Sequence, residues 1–294
     1  MRTVVLSLLP LALLGGIFAG HANAAPLYGA TGTGGGTGTL VSIDPLTGAY
    51  TVIGPLNDAL GQNYRLTGLA FHPITGVLYG SSNNTSPTNP QSLVIVDPLT
   101  GLVTLVGSYG QDSQTMADLT FTPDGTLYGW LEPSDDDLFS INTATGQATL
   151  VGESGIGTYG SGLAANSAGV VYFAGEGTGG RLFVVDTITG GVAPVATLDS
   201  GPAGLGSAVG AMAFSPAGTL YATVASPGGR TPAYLVTIDP QTGQITTIGQ
   251  SIDRLDAIAF GLGAPGTEIP EPATLSLLVG GCLMGWLLRR RQTA

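Results

Sequence analysis

Ile43-Asp44-Pro45-Leu46-Thr47-Gly48 decides the architecture, because the pattern returns four times further along the chain. The copies are Val96-Asp97-Pro98-Leu99-Thr100-Gly101, Ile141-Asn142-Thr143-Ala144-Thr145-Gly146, Val185-Asp186-Thr187-Ile188-Thr189-Gly190 and Ile238-Asp239-Pro240-Gln241-Thr242-Gly243. Their Asp or Asn positions are 53, 45, 44 and 53 residues apart. The chemistry is that of a tight hairpin loop. Asp or Asn caps the turn with its side chain, Pro presets φ at the next position, and Gly supplies the left-handed residue that ends it. Each copy lies between an apolar strand, such as Leu40-Val41-Ser42-Ile43, and a second strand, such as Tyr50-Thr51-Val52-Ile53.

A second hairpin pattern alternates with the first. Leu69-Ala70-Phe71-His72-Pro73-Ile74-Thr75-Gly76-Val77-Leu78-Tyr79-Gly80 has counterparts at Leu119–Gly129, Leu163–Phe173 and Met212–Ala222. Two hairpins per repeat make a four-stranded sheet, the content of one propeller blade. The ends hold complementary halves: Leu27-Tyr28-Gly29 reads as a second strand lacking its first, and Asp256-Ala257-Ile258-Ala259-Phe260 as a first strand with nothing after it. Joining them completes a ring and removes the exposed edges that an open solenoid of the same units would leave. The expected fold is all-β, a five-bladed β-propeller over residues 25–260 closed by its terminal strands, with 261–268 as a linker.

Composition agrees with short strands and many turns: 48 glycines in 294 residues, with only 9% charged. All eight basic residues are Arg, and only Arg65, Arg181, Arg230 and Arg254 fall within residues 25–272. Against them stand 19 acidic residues, a balance of −15. A surface of that sign repels phosphate backbones, so nucleic acid is excluded as a partner. The single cysteine, Cys282, allows no internal disulfide, so the core alone must stabilise the fold.

Both ends carry processing signals. Met1-Arg2 precedes the apolar run Val4–Phe18, and Ala22-Asn23-Ala24 gives the small-x-small pattern that signal peptidase needs, with Ala25 as the new N-terminus. The run is too short for a comfortable membrane span, which favours a cleaved peptide over residues 1–24 against an N-terminal anchor. At the other end Pro270-Glu271-Pro272 is followed by an uncharged segment, 273–288, and then by Arg289-Arg290-Arg291. Its 16 residues would make a helix of about 24 Å, enough for a transient span with snorkelling arginines. The Arg cluster holds its end in the cytoplasm and leaves the preceding domain outside.

This tripartite tail, residues 269–294, closely resembles the PEP-CTERM signal of Gram-negative bacteria that make exopolysaccharide. The resemblance implies an exported protein, anchored in the inner membrane as a precursor. An exosortase would then cut it near Pro-Glu-Pro for the cell surface or extracellular matrix. A plain tail anchor is the alternative. The implied partners are signal peptidase and exosortase during processing, and exopolysaccharide afterwards.

Within the domain, no catalytic constellation and no cofactor site is recognisable. Asp44, Asp97, Asp186 and Asp239 read as turn caps, and so does His72, which occupies the turn position filled by Thr122, Asn166 and Ser215 in sister repeats. Without cysteine, and with that one histidine, Cys–His catalysis and ordinary zinc sites are excluded. The GxGxxG at Gly155–Gly160 leads into a strand rather than a helix, and Gly32–Gly38 lacks the lysine of a P-loop; both read as loops. Asp135, Asp136 and Asp137, near Glu132, form a weak Ca²⁺ candidate. Variable loops gather on the face opposite the regular turns, so ligand contacts are expected there. The candidates are Arg65 and Arg254, six residues before Phe71 and Phe260, and Tyr64 and Trp130 in the variable loops of the same face. Two arginines at the channel mouth suit a carboxylate or sulfate on a polysaccharide. The reading is a non-enzymatic surface or matrix binding module, with a secreted hydrolase or lyase using carboxylates, and Ca²⁺, as the alternative.

Overall fold

The computed structural model describes residues 25–262 apart from 33, 35, 112–113, 133–135, 200–207 and 226–232. The expected signal peptide with Ala22 and Ala24, the sorting tail with Pro270, Glu271, Pro272 and Arg289–Arg291, and Asp135 lie outside the described residues. Among those residues no helix is long and apolar enough to cross a membrane.

The chain forms twenty strands in five antiparallel four-stranded sheets. The first complete sheet holds β4 (Leu66–Phe71), β5 (Leu78–Ser82), β6 (Ser92–Val96) and β7 (Val103–Ser108). The next holds β8 (Thr115–Phe121), β9 (Leu127–Glu132), β10 (Asp137–Ile141) and β11 (Ala148–Gly152). Then follow β12 (Tyr159–Ala165), β13 (Val171–Glu176), β14 (Arg181–Val185) and β15 (Val192–Thr197). The fourth complete sheet holds β16 (Val209–Phe214), β17 (Leu220–Ala225), β18 (Ala233–Ile238) and β19 (Ile245–Gln250). The remaining blade is composite: β1 (Leu27–Thr31), β2 (Thr39–Ile43) and β3 (Tyr50–Pro55) come from the start of the domain and β20 (Leu255–Phe260) from its end, in the order β20-β1-β2-β3. Its closing register pairs Leu27 with Phe260, Tyr28 with Ala259, Gly29 with Ile258 and Ala30 with Ala257. The five innermost strands pack around an axis in the order β20, β4, β8, β12, β16 and back to β20. This is the five-bladed propeller that the repeat predicts, closed as its half-blades require.

Burial follows distance from the axis. The innermost strand β4 is buried at every position but Phe71, whereas the outermost β3 is exposed at most of its positions. Strands covered on both faces can be apolar throughout, as β20 is but for one aspartate, while the outer strands admit Thr and Tyr.

The repeated turns form as their residue types dictate. Asp44 Oδ1 accepts from Leu46 N (2.9 Å), and the same bond recurs at Asp97, Asn142, Asp186 and Asp239 at 2.8–2.9 Å. These bonds hold the Asp44, Asp97, Asp186 and Asp239 carboxyls below the ordinary carboxylate range, so their small contributions are present above the unfolded-chain pKa and fade as pH falls through the folded one. His72 caps its own turn, Nδ1 accepting from Ile74 N at 3.2 Å and Thr75 N at 3.3 Å.

The glycine ending each turn has a second duty. Gly146 has φ +82°, and a Cβ built on it would lie 2.2 Å from the carbonyl oxygen of Gly107 on the preceding blade. Conversely, a Cβ on Gly107 would lie 2.1 Å from Thr145 O. Gly190 meets Gly152, Gly243 meets Thr197, Gly48 meets Gly249 and Gly101 meets Pro55 in the same way, so the seam runs round all five blades. Each outer strand carries a β-bulge just before this contact, for example between Leu93 and Val94 in the β6–β7 pairing.

Gly146→Ala should therefore cost about 3 kcal/mol of unfolding free energy, combining left-handed strain with overpacking. Gly110 also has a positive φ, but nothing lies within 4 Å of its built Cβ, so Gly110→Ala should cost only about 1 kcal/mol. Urea unfolding of both variants checks this; equal losses would show that the seam is not tight.

Candidate functional site

Five innermost strands converging on one axis bring five equivalent residues to one level: Thr67, Ala117, Ser161, Gly210 and Asp256. Together with Gly34, Asn83, Asn84, Thr85, Thr115, Glu132 and Gly160 they line a cavity of about 270 Å³ that opens on the face of the long loops. Its lining is almost wholly polar or glycine. The opposite end of the axis is apolar, a funnel of about 110 Å³ rimmed by Phe71, Phe121, Phe214 and Phe260, with Ala165 in the fifth place.

The polar groups of the cavity are held before any ligand arrives. Glu132, at the end of β9, accepts from Gly160 N (2.7 Å) and from Ser161 Oγ (2.9 Å). Asp256 Oδ2 accepts from Gly32 N at 3.1 Å. Asn83 Nδ2 donates to Gly32 O (2.6 Å), while its Oδ1 accepts from Thr85 N at 3.0 Å and Thr85 Oγ1 at 3.1 Å. Thr67 Oγ1 and Ser81 Oγ both donate to Met116 O.

Asp118 lies one residue beyond Ala117 along β8 and is fully buried. Its Oδ2 accepts from Leu163 N on the adjacent blade (2.9 Å) and from Met212 N across the axis (3.0 Å), while Oδ1 accepts from Leu119 N (2.8 Å). One carboxyl thus ties three inner strands. Sister positions are small because the axis is crowded: a Cβ on Gly68 would lie 2.9 Å from Leu119 N, and one on Gly162 would lie 2.6 Å from the Met212 side chain. Burial pushes Asp118 well above the ordinary carboxylate range, against the pull of its three backbone donors.

The structure distributes the other candidate residues differently from the sequence reading. Arg65 and Arg254 do converge, but on the two sides of the Gly32–Gly38 loop. Arg65 Nε donates to Gly36 O (2.9 Å) and its Nη1 to Thr85 O (3.0 Å). Arg254, itself at φ +62°, packs its guanidinium beside Gly34 and Gly36. Neither lines the axial cavity; Arg254 lines a flanking pocket of about 300 Å³ with Asp253, Thr37 and Thr39. The loop is glycine-rich because it lies on the backbone: a Cβ at Gly38 would lie 1.7 Å from Tyr64 O.

Tyr64 and Trp130 are core residues, not mouth residues, at 1% and 0% exposure. Trp130 stacks on Phe173 at 3.9 Å and donates from Nε1 to Thr158 Oγ1 (3.2 Å), while Tyr64 Oη accepts from Asn89 Nδ2 (2.7 Å). Their large apolar area is better buried once the polar tip has a partner, which corrects their placement at the mouth. Asp136 accepts from Thr158 Oγ1 (2.8 Å) and Asp137 from Ser154 N, so both brace the 153–158 loop. Among the described residues no three His, Cys, Asp or Glu side chains cluster as metal ligands.

Residues 268–291 match the PEP-CTERM protein-sorting motif. The tail is therefore that of an exosortase-targeted exported protein, whose precursor is membrane-anchored. A comparison with curated proteins returned no match. Among solved structures, the chain is similar to a Kuenenia stuttgartiensis hydrazine synthase chain (20% identity, TM-score 0.41, 61% of this chain and 47% of that one). It is also similar to a chain of a nidogen/laminin complex (12%, TM-score 0.47, 82% and 99%). A third is a Bacteroides thetaiotaomicron protein of unknown function (16%, TM-score 0.48, 67% and 53%). The chain thus spans about half the length of the first and third of these.

Asp118→Ala strands buried amides on two other blades and should cost about 3 kcal/mol or more. Asp118→Asn keeps an acceptor and should cost much less. Because the folded-state pKa is raised, the wild-type carboxyl favours the fold fully below the unfolded value, about 3.9, and that contribution is lost as pH rises. Relative to wild type, Asp118→Asn should therefore gain stability between about pH 4 and pH 7. Denaturant unfolding across that range measures it; the opposite slope would show an ionised Asp118.

Proposed function

We propose that this exported propeller is a binding module of the cell surface or extracellular matrix, and that the axial cavity seats a sugar unit of the producer's exopolysaccharide. The observation that carries the reading is the cavity itself: a rigid, preorganised concavity to which every inner strand contributes a residue. Its fixed carboxylates suit sugar hydroxyls as donors, and the hydroxyls of Thr67, Thr85, Thr115 and Ser161 match them in polarity. Two acids in the cavity wall and an acidic surface favour a neutral or amine-bearing sugar over a sulfated or carboxylated one. The arginine pair instead steadies the lip of the cavity through the Gly32–Gly38 loop.

A second reading rests on one arrangement. Glu132 and Asp256 come from different blades and line the same cavity, as the carboxylates of a glycoside hydrolase or lyase do. The fold licenses neither reading by itself.

Retention of the purified protein on neutral, amine-bearing and sulfated polysaccharide columns tests the proposal. Retention is expected on the first two classes, weakened about tenfold by Glu132→Gln or Asp256→Asn, the loss of one charge-assisted hydrogen bond. No retention beyond that of an unrelated acidic protein would overturn it. Release of reducing or unsaturated ends, abolished in the same variants, would establish the second reading instead.

A further inference from the structure

The regular turns and the two ends of the described domain share one face of the propeller. Strand β20 runs from the cavity side down to the apolar funnel, so the chain leaves the domain next to the axis and on the face opposite the cavity. Gly261 N donates to Pro26 O at 2.8 Å, which places the first and last residues of the domain together. A Cβ on Gly76, in the turn between β4 and β5, would lie 3.6 Å from Leu262, so the chain is still on this face at its last described residue.

From Leu262 to Ala273, where the uncharged segment begins, is eleven residue steps, a reach of roughly 36–40 Å when fully extended. Turning the cavity toward the bilayer would use up nearly all of that reach. Three strand spacings from the innermost to the outermost strand cover about 14 Å, and a strand of five or six residues rises about 17–20 Å. Side chains and the loops above the strands lengthen that route further. Only a fully stretched tether could follow that route, whereas the turn face meets the bilayer without such a stretch.

We infer that the membrane-anchored precursor is held with its turn face toward the bilayer and the mouth of its axial cavity turned away. The cavity is thus open to large extracellular ligands even before the tail is processed. This inference rests on the tail as a membrane anchor and not on any ligand of the cavity. The turn face is tethered rather than docked. It exposes Leu46, Leu99 and Ile188, yet beside each stands an aspartate held ionised by its turn, which anionic lipid repels.

The test uses the full-length chain with Cys282→Ser and one new cysteine at a time. Leu99→Cys and Ile188→Cys report the turn face, and Leu60→Cys, in the 56–65 segment between β3 and β4, reports the cavity face; all three positions are more than 80% exposed. Each is labelled with a fluorescent donor, and the protein is reconstituted in phosphatidylcholine vesicles carrying a headgroup acceptor. Energy transfer about twofold or more stronger from 99 and 188 than from 60 is expected, the faces being ~20 Å apart. Equal transfer, or stronger transfer from position 60, overturns the orientation. Transfer from none of the three sites overturns the anchored premise, and the proposal with it.

Discussion

Everything in this fold depends on the antiparallel pairing of β1 with β20. Each blade can cover its neighbours only if the ring closes, and the ring closes through strands more than 220 residues apart in the chain. The pairing places Asp256 at the cavity level and lets its carboxylate reach Gly32 across the composite blade. It also brings the Gly48 turn onto Gly249, completing the seam between the last blade and the first. A cavity lined from five blades exists only in the closed form.

A rim of turn glycines, two axial glycines and one acid set how tightly that closure can be drawn. At the rim, turn glycines lie against outer-strand backbone; at the axis, Gly68 and Gly162 leave room for neighbouring strands. Asp118 then fills the crowded centre with a group that satisfies amides on two other blades. The rim turns weaken in acid while the axial carboxyl is best accommodated there, so the two parts of the molecule respond to pH with opposite signs.

What could be read from the chain beforehand was whatever repeats. The Asp-Pro-Leu-Thr-Gly turn, the second hairpin and the complementary half-blades at Leu27 and Asp256 are local patterns whose copies corroborate one another. Asp118 occurs once, at a position where its sisters are Gly68 and Gly162, so periodicity carries no trace of it. Glu132 and Asp256 are separated by more than 120 residues and meet only around the axis. Tyr64 and Trp130 misled because they border variable loops, yet burial of aromatic area draws both inward. The Gly32–Gly38 loop was legible as a loop, but its reason, contact with the backbone of Tyr64 and Leu66, is tertiary.

The two faces divide the labour. One carries uniform turns and both ends of the domain; the other carries the irregular loops and the cavity. The most direct test of this account is a cysteine pair at Tyr28 and Ala259, register partners in the closing blade, in a chain with Cys282→Ser. Direct cross-strand neighbours lie about 4.5–5.5 Å apart at Cα, within the range that a disulfide spans. Oxidation should consume both thiols within a single chain, leaving a monomer two hydrogens lighter by intact mass. Two free thiols, or disulfides only between chains, would contradict the closed five-bladed ring.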